Sequence, residues 1–541
     1  MRDRNPFILA DLVQLRAEEK PDLDVLTFEH FGLDAGATPD EVRSYSDLQT
    51  NANRVAAALV ERGMVPGDRF AIMMRNHPEF VEAMIAASIT GCVFVPIDPR
   101  TRGEKLAFLL RNSGCRGVFC ADYSAPALLA AREQAPALEW FLGVESREAG
   151  APSLDDLDGV APLEAVLSKP AASVDTRVED VSRPLQIIYT SGTTGDPKGI
   201  VGDHMRFGGT GMLGGIFGYH DDERPYTGLS LTHNNAQATA LAPALMSCYR
   251  AVFSRRFSKS RLWDICRRYG CTSFSLVGGM ATAIYSEPPR ADDADNPVRL
   301  VVSGGMPAAI WEPFERRFGV QIFEFYGASD GGGMAYKSPG VGPVGSFGKP
   351  MSGLDMRVLD EDGKECTPGM VGEICCRPEG GGEASVEYFG NPKASRDKIR
   401  DGWNRSGDMG HRDAEGWLYF DHRVGGGIRH NGDFVNAGFV EKVIAEDPEV
   451  SDVFVYGIPA ASGAPGEKDV VAAIVPRDPA AFDPAALFAR CGEGLEPNFV
   501  PSHLQVVDEI PKTASEKPQE RFLQDRFAPD APGVYGQGSR S

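Results

Sequence analysis

Short apolar runs and helical segments alternate along the first 330 residues, and this alternation limits the folds that the chain can adopt. Pro78–Gly91 has the pattern of a helix with proline in its first turn and glycine at its end, and the buried strand candidate Cys92–Asp98 follows. The other strand candidates are Phe70–Met74, Gly117–Cys120, Leu185–Tyr189, Ser273–Val277, Leu300–Ser303 and Val320–Phe325. Strands that alternate with helices predict parallel sheets covered by helices on both faces.

The pattern changes near Leu354 to short alternating strands separated by glycine and proline turns, which predict a small antiparallel, β-barrel-like unit. After a polar stretch at 421–433, two strands and a helix predict a small α+β domain. We therefore expect an α/β fold. Residues 1–421 would form a large domain of parallel αβ subdomains plus the β-barrel-like unit, and 422–541 a small mobile domain. The glycine-, proline- and serine-rich residues 528–541 predict a disordered tail.

Length and composition indicate a globular protein of at least two domains, because 541 residues exceed what one core can organise. The net charge of −21 and the absence of a basic run argue against nucleic acid as a partner. The ten cysteines form no CxxC pair, which predicts buried free thiols in a reducing cytoplasm. Asp11 interrupts the first apolar run and polar residues break the longest one, so we expect neither a signal peptide nor a membrane span.

The run YTSGTTGDPKG at Tyr189–Gly199 follows a strand candidate directly and combines the donors that bind phosphate. Its glycines let backbone N–H groups converge on an anion, its hydroxyls add donors, and its lysine adds charge. The candidate phosphate ligands are Thr190, Ser191, Gly192, Thr193, Thr194, Gly195 and Lys198. The spacing differs from that of a P-loop, and Pro197 could not lie inside the helix that follows a P-loop lysine. On this run alone, a mobile surface loop is an equal alternative.

The run TSGTTGDPKG resembles the phosphate loop of the adenylate-forming superfamily, which includes acyl-CoA ligases, luciferases and peptide-synthetase adenylation domains. The resemblance is strongest to bacterial acyl-CoA synthetases and extends over nearly the whole chain. Further motifs follow in the family's order. They are VSGGMP at Val302–Pro307, FEFYGASDGG at Phe323–Gly332, WNRSGDMG at Trp403–Gly410, HRVGGGIRHNGDFV at His422–Val435 and PKTASEK at Pro511–Lys517.

This resemblance implies a reaction in two steps. In the family, a carboxylate attacks the α-phosphorus of ATP, pyrophosphate leaves, and a thiol, usually that of CoA, captures the acyl-adenylate. ATP, Mg2+ and CoA are therefore the expected cofactors, and the chemistry depends on positioning and charge neutralisation. Residues 190–195 and Lys198 would bind the β- and γ-phosphates. Glu324, Phe325 and Tyr326 would contact the nucleotide, with the two aromatic rings at the adenine.

The resemblance also assigns the residues around the reacting groups. Ser329 stands where the family has Thr and would contact the α-phosphate, and Asp330 stands where it has Glu and would approach Mg2+. Asp408 would accept both ribose hydroxyls, and Arg423 would add positive charge near the phosphates or the ribose. Lys517 would neutralise charge that develops between carboxylate and α-phosphate. Taken singly, Asp408 could be a turn residue, Arg423 a solvated charge and Lys517 a tail lysine.

The chain departs from the family pattern after the predicted hinge. Gly426 stands where the family has an Asp that flexes the backbone between its adenylating and thiol-transfer poses, so rotation is less directed. Before the catalytic Lys517, Glu516 replaces the usual Gly and could compete for the ammonium, while Pro518 stiffens the loop. Two hypotheses follow. The chain either completes both half-reactions or forms the adenylate and leaves transfer to a partner or carrier protein.

The segment SLTHNNA at Ser230–Ala236 resembles a family segment whose histidine, here His233, stands near the acyl carboxylate. It offers no acidic side chain for an α-ammonium group, so we expect a small carboxylic acid without an α-amino group as substrate. Glycines are frequent in the segments expected to wall the acyl pocket. These are Phe207–Gly218, Gly304, Gly305, Gly327 and Gly331–Gly333. Missing side chains would leave room for a bulky, polycyclic acid, such as a diterpenoid acid of secondary metabolism, unless the glycines serve backbone turns.

A nucleotide-binding scaffold without turnover is the alternative from another class of function. Such a scaffold would keep Asp408 and the aromatic site but would not need Lys517 or Asp330, and this chain has all of them. The sequence predicts no oligomeric state.

Overall fold

The computed structural model describes residues 3–170, 173–189, 197–328, 330–423, 427–430, 433–435, 437–461, 468–495, 497–513 and 516–537. The chain divides into two compact units. The first comprises Met1–Ser258, Asp264–Ser275 and Glu387–Arg396, and the second comprises Lys259–Trp263, Leu276–Val386 and Asp397–Ser541. The predicted division into 1–421 and 422–541 stays a prediction.

The first unit is built on two largely parallel sheets. Its strands are β1 (Asp24–Glu29), β2 (Glu41–Ser44), β3 (Arg69–Met73), β4 (Val93–Pro96), β5 (Gly117–Ala121), β6 (Trp140–Val144), β7 (Val160–Pro162), β8 (Pro184–Tyr189), β9 (Gly199–Asp203), β10 (Pro225–Thr227) and β11 (Ala251–Ser254), and β12 (Ser273–Val277) begins in it. Seven strands form one sheet in the order β7-β6-β5-β3-β4-β8-β9, in which only β8 and β9 pair antiparallel. In the other sheet β10, β11, β1 and β2 are successive neighbours, and only β1 and β2 pair antiparallel.

Helices connect these strands, as the alternation predicts. They are α1 (Leu9–Glu19), α2 (Phe31–Asp34), α3 (Tyr45–Glu61), α4 (Pro78–Thr90), α5 (Gly103–Ser113), α6 (Ala125–Ala131), α7 (Glu164–Leu167), α8 (His204–Gly211), α9 (Leu213–Phe217), α10 (Asn234–Ala236), α11 (Ala242–Ser247) and α12 (Leu262–Tyr269). Short 3-10 turns occupy Arg132–Gln134 and Leu154–Asp156, and a π-helix spans Gln237–Leu241. The predicted helix α4 is confirmed, with Pro78 in its first turn and Gly91 ending it at a φ of 75° that favours glycine.

The second unit begins with parallel strands and continues with mostly antiparallel ones, among which β25 and β26 pair parallel. Its strands are β13 (Leu300–Gly304), β14 (Gln321–Gly327), β15 (Met334–Lys337), β16 (Lys349–Pro350), β17 (Leu354–Leu359), β18 (Gly372–Pro378), β19 (Ile399–Arg400), β20 (Trp403–Arg412), β21 (Leu418–Arg423), β22 (Arg429–His430), β23 (Asp433–Phe434), β24 (Val450–Pro459), β25 (Lys468–Pro476), β26 (His503–Val506) and β27 (Val534–Gly536). Its helices are α13 (Gly278–Tyr285), α14 (Trp311–Phe318), α15 (Pro392–Lys398, which starts in the first unit), α16 (Ala437–Ala445), α17 (Pro484–Gly494) and α18 (Glu520–Gln524), with 3-10 turns at Ala308–Ile310 and Pro497–Phe499.

An antiparallel region follows β16, as predicted, and a mixed α+β region, in which β25 and β26 pair parallel, follows it. Strands β17 to β21 form a five-stranded sheet in the order β17-β18-β20-β19, with β21 paired to β20. Strands β24 to β27 form a four-stranded sheet whose core includes Val440 and Ile444 of α16 and Leu487 of α17. The predicted fold class, parallel αβ layers followed by a small α+β region, is confirmed.

The prediction of a disordered tail is wrong for part of the tail. Residues Val534–Gly536 form β27, which pairs antiparallel with β26, and the half-buried Tyr535 packs against the core of this sheet. The backbone N–H and C=O groups of this segment are satisfied by a strand edge, which a composition rich in glycine and proline does not reveal. Residues 538–541 lie outside the described part of the chain.

The state of the cysteines and the character of the described helices complete the description of the fold. All ten cysteines are free thiols, and nine of them are buried, with Cys248 partly exposed. Among the described helices, none has the length and apolar character needed to cross a membrane.

Candidate active site

The predicted phosphate segment connects two antiparallel strands of the first unit. Tyr189 at the end of β8 pairs with Gly199 at the start of β9. Pro197 and Lys198 lead directly into β9, so a strand and not a helix follows the lysine, as expected for a segment unlike a P-loop. The exposed Lys198 ammonium lies 5.3 Å from the centroid of the Tyr388 ring. The candidates at 190–196 lie outside the described residues.

His233 also belongs to the first unit, where it precedes the short helix α10. Its backbone N–H donates to the Ser230 carbonyl (3.0 Å), and its own carbonyl accepts from Gln237 N (3.4 Å). The buried Gln237 begins the π-helix, and its side-chain amide donates to the Leu231 carbonyl (2.9 Å). The half-buried imidazole therefore stands at a local irregularity of the backbone, a feature often found at functional sites.

The glycines of Phe207–Gly218 are partly explained by packing. A Cβ added to Gly208 would lie 2.6 Å from a ring carbon of Phe7, and one added to Gly211 would lie 2.9 Å from Met246 Cβ. These two glycines let α8 approach its neighbours closely, and they leave no empty volume. The prediction that this segment supplies room for a bulky acid loses part of its basis.

In the second unit, Gly304 and Gly305 form a turn that is held by a buried carboxyl. Glu324 on β14 accepts the N–H of Gly305 (2.5 Å) and that of Met306 (3.1 Å). Gly305 has a φ of 107°, which other residues rarely adopt. Burial raises the pKa of Glu324 to about 8, although these backbone N–H groups oppose the rise. The carboxyl of Glu324, predicted to contact the nucleotide, thus supports the turn after β13.

Asp408 is the centre of a polar cluster in the second unit. The buried carboxylate accepts the hydroxyl of Tyr326 at Oδ2 (2.7 Å), and Arg423 Nε lies 3.1 Å from Oδ1. Strand register places these groups together, because Asp408 on β20 pairs with Arg423 on β21. Within the described part of the chain, Asp408 Oδ1 receives no hydrogen bond of good geometry. A buried carboxylate oxygen in this state is suited to accept a ligand hydroxyl, such as that of a ribose.

The aromatic residues of this cluster come from β14. The Tyr326 ring stacks on Phe347 with centroids 4.6 Å apart. Burial, with Asp408 as its neighbour, raises the pKa of the Tyr326 hydroxyl, so it stays a hydrogen-bond donor. Phe325 is half-buried on the same strand, and Gly327 ends the strand. Phe325 and Tyr326 are neighbours on β14, and their place at the adenine stays a prediction.

Asp330 is paired with a lysine that the sequence did not single out. Lys398 Nζ lies 2.8 Å from Asp330 Oδ2, and both side chains are mostly buried. Asn404, four residues before Asp408, donates to the Asp330 carbonyl (2.9 Å). Gly331 follows with a φ of 77°. Ser329 lies outside the described residues. Mg2+ is often held by one or two carboxylates plus phosphate oxygens, so Asp330 fits this role with Lys398 as a competitor for its charge.

Lys517 lies on a hairpin near the end of the second unit. Lys512 and Pro518 form an antiparallel bridge, and Thr513 N donates to the Lys517 carbonyl (2.8 Å). The Lys517 N–H donates in turn to Thr513 Oγ1 (3.1 Å). Glu516, where the family has Gly, adopts a φ of 56°. This left-handed conformation explains why glycine suits the position.

The Lys517 ammonium is close enough to the Asp408 cluster for the charges of Arg423 and Asp408 to act on it. The Lys517 side chain is exposed to solvent, yet surrounding protein lowers the pKa of its ammonium, and the positive charge of Arg423 lowers it further while Asp408 opposes both. Behind the hairpin, a Cβ added to Gly279 on α13 would lie 3.2 Å from the Glu516 carbonyl oxygen. The structure therefore brings Tyr326, Asp408, Arg423 and Lys517 together.

Sequence reasoning missed three contacts of the candidate site residues and their neighbours, namely that of Lys398 with Asp330, that of Gly279 with Glu516 and the pair of Lys512 with Asp452 (2.7 Å). Lys512 stands inside the recognised PKTASEK motif, so its position offered a signal. The other two make long-range contacts that no local pattern indicates.

The chain was compared with known proteins. Residues 13–381 match the family described as AMP-binding enzyme, and 440–517 match the AMP-binding enzyme C-terminal domain. A medium/long-chain-fatty-acid–CoA ligase of Mycobacterium marinum is 30% identical over 492 residues, which cover 90% of this chain and 92% of the relative. A steroid-22-oyl-CoA synthetase of Rhodococcus jostii is 29% identical over 473 residues, covering 84% and 81%.

Solved structures share the fold. The anthranilate CoA ligase AuaEII in complex with anthranoyl-AMP has a TM-score of 0.80 at 22% identity and covers 96% of each chain. The o-succinylbenzoate CoA synthetase of Bacillus subtilis, in complex with its acyl-adenylate, has a TM-score of 0.73 at 23% identity and covers 95% of this chain and 98% of its own. The resemblance seen in the sequence motifs is thereby confirmed, and the chain belongs to the AMP-binding enzyme family of adenylate-forming enzymes, together with acyl-CoA ligases.

Proposed function

We propose that this enzyme activates a carboxylic acid without an α-amino group by reaction with ATP, and then transfers the acyl group to CoA. In the first step the acid oxygen bonds to the α-phosphorus, the bond to the β-phosphate oxygen breaks, and pyrophosphate leaves. In the second step the CoA sulfur takes the acyl group and AMP leaves. The observation that carries the proposal is the Asp408 cluster, in which Tyr326, Arg423 and Lys517 converge on a buried carboxylate.

The residues of the cluster divide the work of binding and of charge neutralisation. Asp408, oriented by the Tyr326 hydroxyl, would accept the ribose hydroxyls. Lys517 would lie over the reacting oxygens, where a protonated ammonium stabilises the negative charge that develops in the transition state. Asp330 would hold Mg2+, whose charge neutralises the phosphates when it is bound. Lys198 would bind the departing phosphates, and Ser329 the α-phosphate, as the resemblance implies.

Two observations support the proposed class of acid, namely the lack of an acidic residue in the segment around His233 and the substrates named for the relatives. Residues 230–237 include no carboxylate that could bind an α-ammonium group. By their names, the two relatives described above act on medium- or long-chain fatty acids and on a steroid acid. We therefore propose a bulky apolar acid, of fatty or polycyclic type. Gly208 and Gly211 do not support this choice, because packing accounts for both.

CoA is the proposed thiol acceptor. Glu516 and Gly426 depart from the family pattern, so the transfer to CoA needs a direct test. The alternative is an enzyme that stops at acyl-AMP and passes it to a partner or carrier protein.

The free and mostly buried cysteines suit a reducing cytoplasm, which is the proposed location.

A panel of acids tests substrate and acceptor together. Purified protein is incubated with ATP, Mg2+ and fatty, steroid or diterpenoid acids, and acyl-AMP is trapped with hydroxylamine while acyl-CoA is measured separately. We expect hydroxamate from at least one apolar acid, acyl-CoA when CoA is present, and no hydroxamate from the α-amino acids used as controls. Hydroxamates of amino acids would overturn the acid class, and acyl-AMP without acyl-CoA would overturn the CoA step.

A further inference from the structure

A charged contact away from the Asp408 cluster joins two segments of the second unit. Glu287, two residues after α13, places Oε1 at 3.2 Å from Lys259 Nζ and at 3.9 Å from Arg477 Nη1. Arg477 follows β25 directly, so one carboxylate lies between cations from two distant parts of the chain. All three side chains are about one-quarter exposed.

The same cations also bind backbone on the opposite segment. Lys259 Nζ donates to the Ser451 carbonyl on β24 (2.5 Å) and lies 3.1 Å from its hydroxyl. Ser286 Oγ donates to the same carbonyl (3.2 Å), and Arg477 donates to the Ser286 carbonyl. We refer to these five residues, Lys259, Ser286, Glu287, Ser451 and Arg477, as the docking cluster. Hydrogen bonds from charged donors to fixed carbonyls make it more specific than an ordinary surface ion pair.

Two short connections link the docking cluster to the Lys517 hairpin. On β24, Ser451 is followed by Asp452, which pairs with Lys512 at the base of the hairpin (2.7 Å). On the other side, α13 contacts the hairpin near its start, where Gly279 faces the Glu516 carbonyl, and ends just before Ser286. One helix and one strand thus touch both features, so a shift at the docking cluster moves the support of Lys517.

We propose that the docking cluster consists of positioning residues that hold the Lys517 hairpin against the Asp408 cluster. This inference rests on the proposed role of Lys517 in adenylation. The sequence has glycines at 425–427, where the family has an Asp that directs rotation, so we infer that side-chain contacts select the position of the hairpin. The docking cluster is charged and partly exposed, so high salt should weaken its ion pairs. The Lys517 hairpin could therefore leave this position and return to it.

The test compares the two half-reactions in Arg477→Met, Arg477→Lys and Arg316→Met. Arg316 pairs with Glu312 on the exposed face of α14 and serves as the matched control. Single-turnover acyl-AMP formation should fall about 10-fold in Arg477→Met, because a small misplacement of Lys517 is costly. Acyl transfer to CoA from supplied acyl-AMP should stay unchanged. Arg477→Lys should recover most of the adenylation rate, and Arg316→Met should match the wild type.

Equal losses in both half-reactions, or no loss in Arg477→Met, would overturn the positioning role. Hydrogen exchange of the unliganded protein gives a readout that needs no substrate. The backbone amides of Lys512, Thr513, Glu516, Lys517 and Gln519 should exchange faster in Arg477→Met than in Arg316→Met, and equal exchange would also refute the docking cluster. A wild type that forms no acyl-AMP but shows this difference in exchange would refute the proposed function and leave the docking contact intact.

Discussion

Two hairpins in this chain each present a lysine, one in each compact unit, and they are held in place in different ways. Strands β8 and β9 belong to a seven-stranded sheet. Lys198 directly precedes β9, and its ammonium lies over the Tyr388 ring. Among its described residues, the second hairpin has a bridge between Lys512 and Pro518 and backbone hydrogen bonds from Thr513 to Lys517 and from Gln519 to Pro511, and it belongs to no large sheet. Its position depends on the Lys512–Asp452 pair and on the contact with Gly279.

This difference in support suggests different roles for the two lysines, substrate binding for Lys198 and acceleration of the chemical step for Lys517. A lysine at the start of a strand in a large sheet has a fixed backbone, which suits a group that holds substrate phosphates throughout the reaction. A lysine on a hairpin held by a few side chains can be placed or displaced, which suits a group needed at one step. The departures from the family pattern, Glu516 and Pro518, lie beside the second lysine, and the first hairpin matches the family closely.

Replacing each lysine singly should give the largest kinetic effects, and the two variants should differ in which kinetic parameter changes. Lys517→Ala should slow adenylation about 10²- to 10³-fold, as for loss of one preorganised electrostatic contact, with little change in KM for ATP. Lys198→Ala should instead raise KM for ATP about 10-fold, because it removes a contact made equally in ground and transition states. Steady-state pyrophosphate release at varied ATP measures both. An unchanged rate in Lys517→Ala would remove this residue from the mechanism.

Breaking the base of the second hairpin should have a smaller effect. Lys512→Met removes the partner of Asp452, so Lys517 is less well placed and adenylation should slow about 10-fold. Lys512→Arg keeps the charge and should retain most of the rate. Acyl-CoA formation from supplied acyl-AMP and CoA should show no change. If Lys512→Met and Lys512→Arg behave alike, the ion pair does not position the hairpin.

The backbone at Glu516 gives a third, weaker test. A φ of 56° is accessible to glycine but strained for a β-branched residue, by about 1–2 kcal/mol. Glu516→Gly should therefore keep the adenylation rate within about 3-fold of the wild type. Glu516→Val should slow adenylation more than Glu516→Gly does, because the hairpin must distort. Equal rates in the two variants would show that this conformation does not matter for Lys517.

The pH dependence should show the smallest change. Surrounding protein and Arg423 hold the Lys517 pKa below its ordinary value of 10.5, and the protonated form is the active one. The value of kcat/KM, which reports the free enzyme, should therefore fall on the alkaline side at a pH below 10.5. Arg423→Gln removes a positive charge, so this decline should move to higher pH, whereas Arg316→Gln should not move it. A decline that stays in place in Arg423→Gln would assign it to another group.

Much of the fold could be predicted because its signals are local. Apolar runs bounded by glycine, such as Leu185–Tyr189, place the parallel strands, and the ordered motifs predict that Asp408, Arg423 and Lys517 converge. Pro197 is informative for the same reason, since a proline cannot lie inside a helix.

The features that escaped prediction depend on contacts between distant segments. Strand β27 is ordered by the edge of β26, against the tendency of its own composition. Gly208 and Gly211 permit close packing in a helix-rich region, although glycine favours neither a helix nor a filled pocket. The Lys398–Asp330 pair joins charges whose proximity only the folded chain determines.

Acid-dependent pyrophosphate release from ATP tests the central claim most directly. Wild-type protein and Asp408→Asn are compared across the acid panel, with ATP and Mg2+ but without CoA. Pyrophosphate release that requires an apolar acid, and that falls sharply in Asp408→Asn, is the result we predict. Absence of acid-dependent release with every acid, together with retained ATP binding, would contradict it and indicate a nucleotide-binding scaffold.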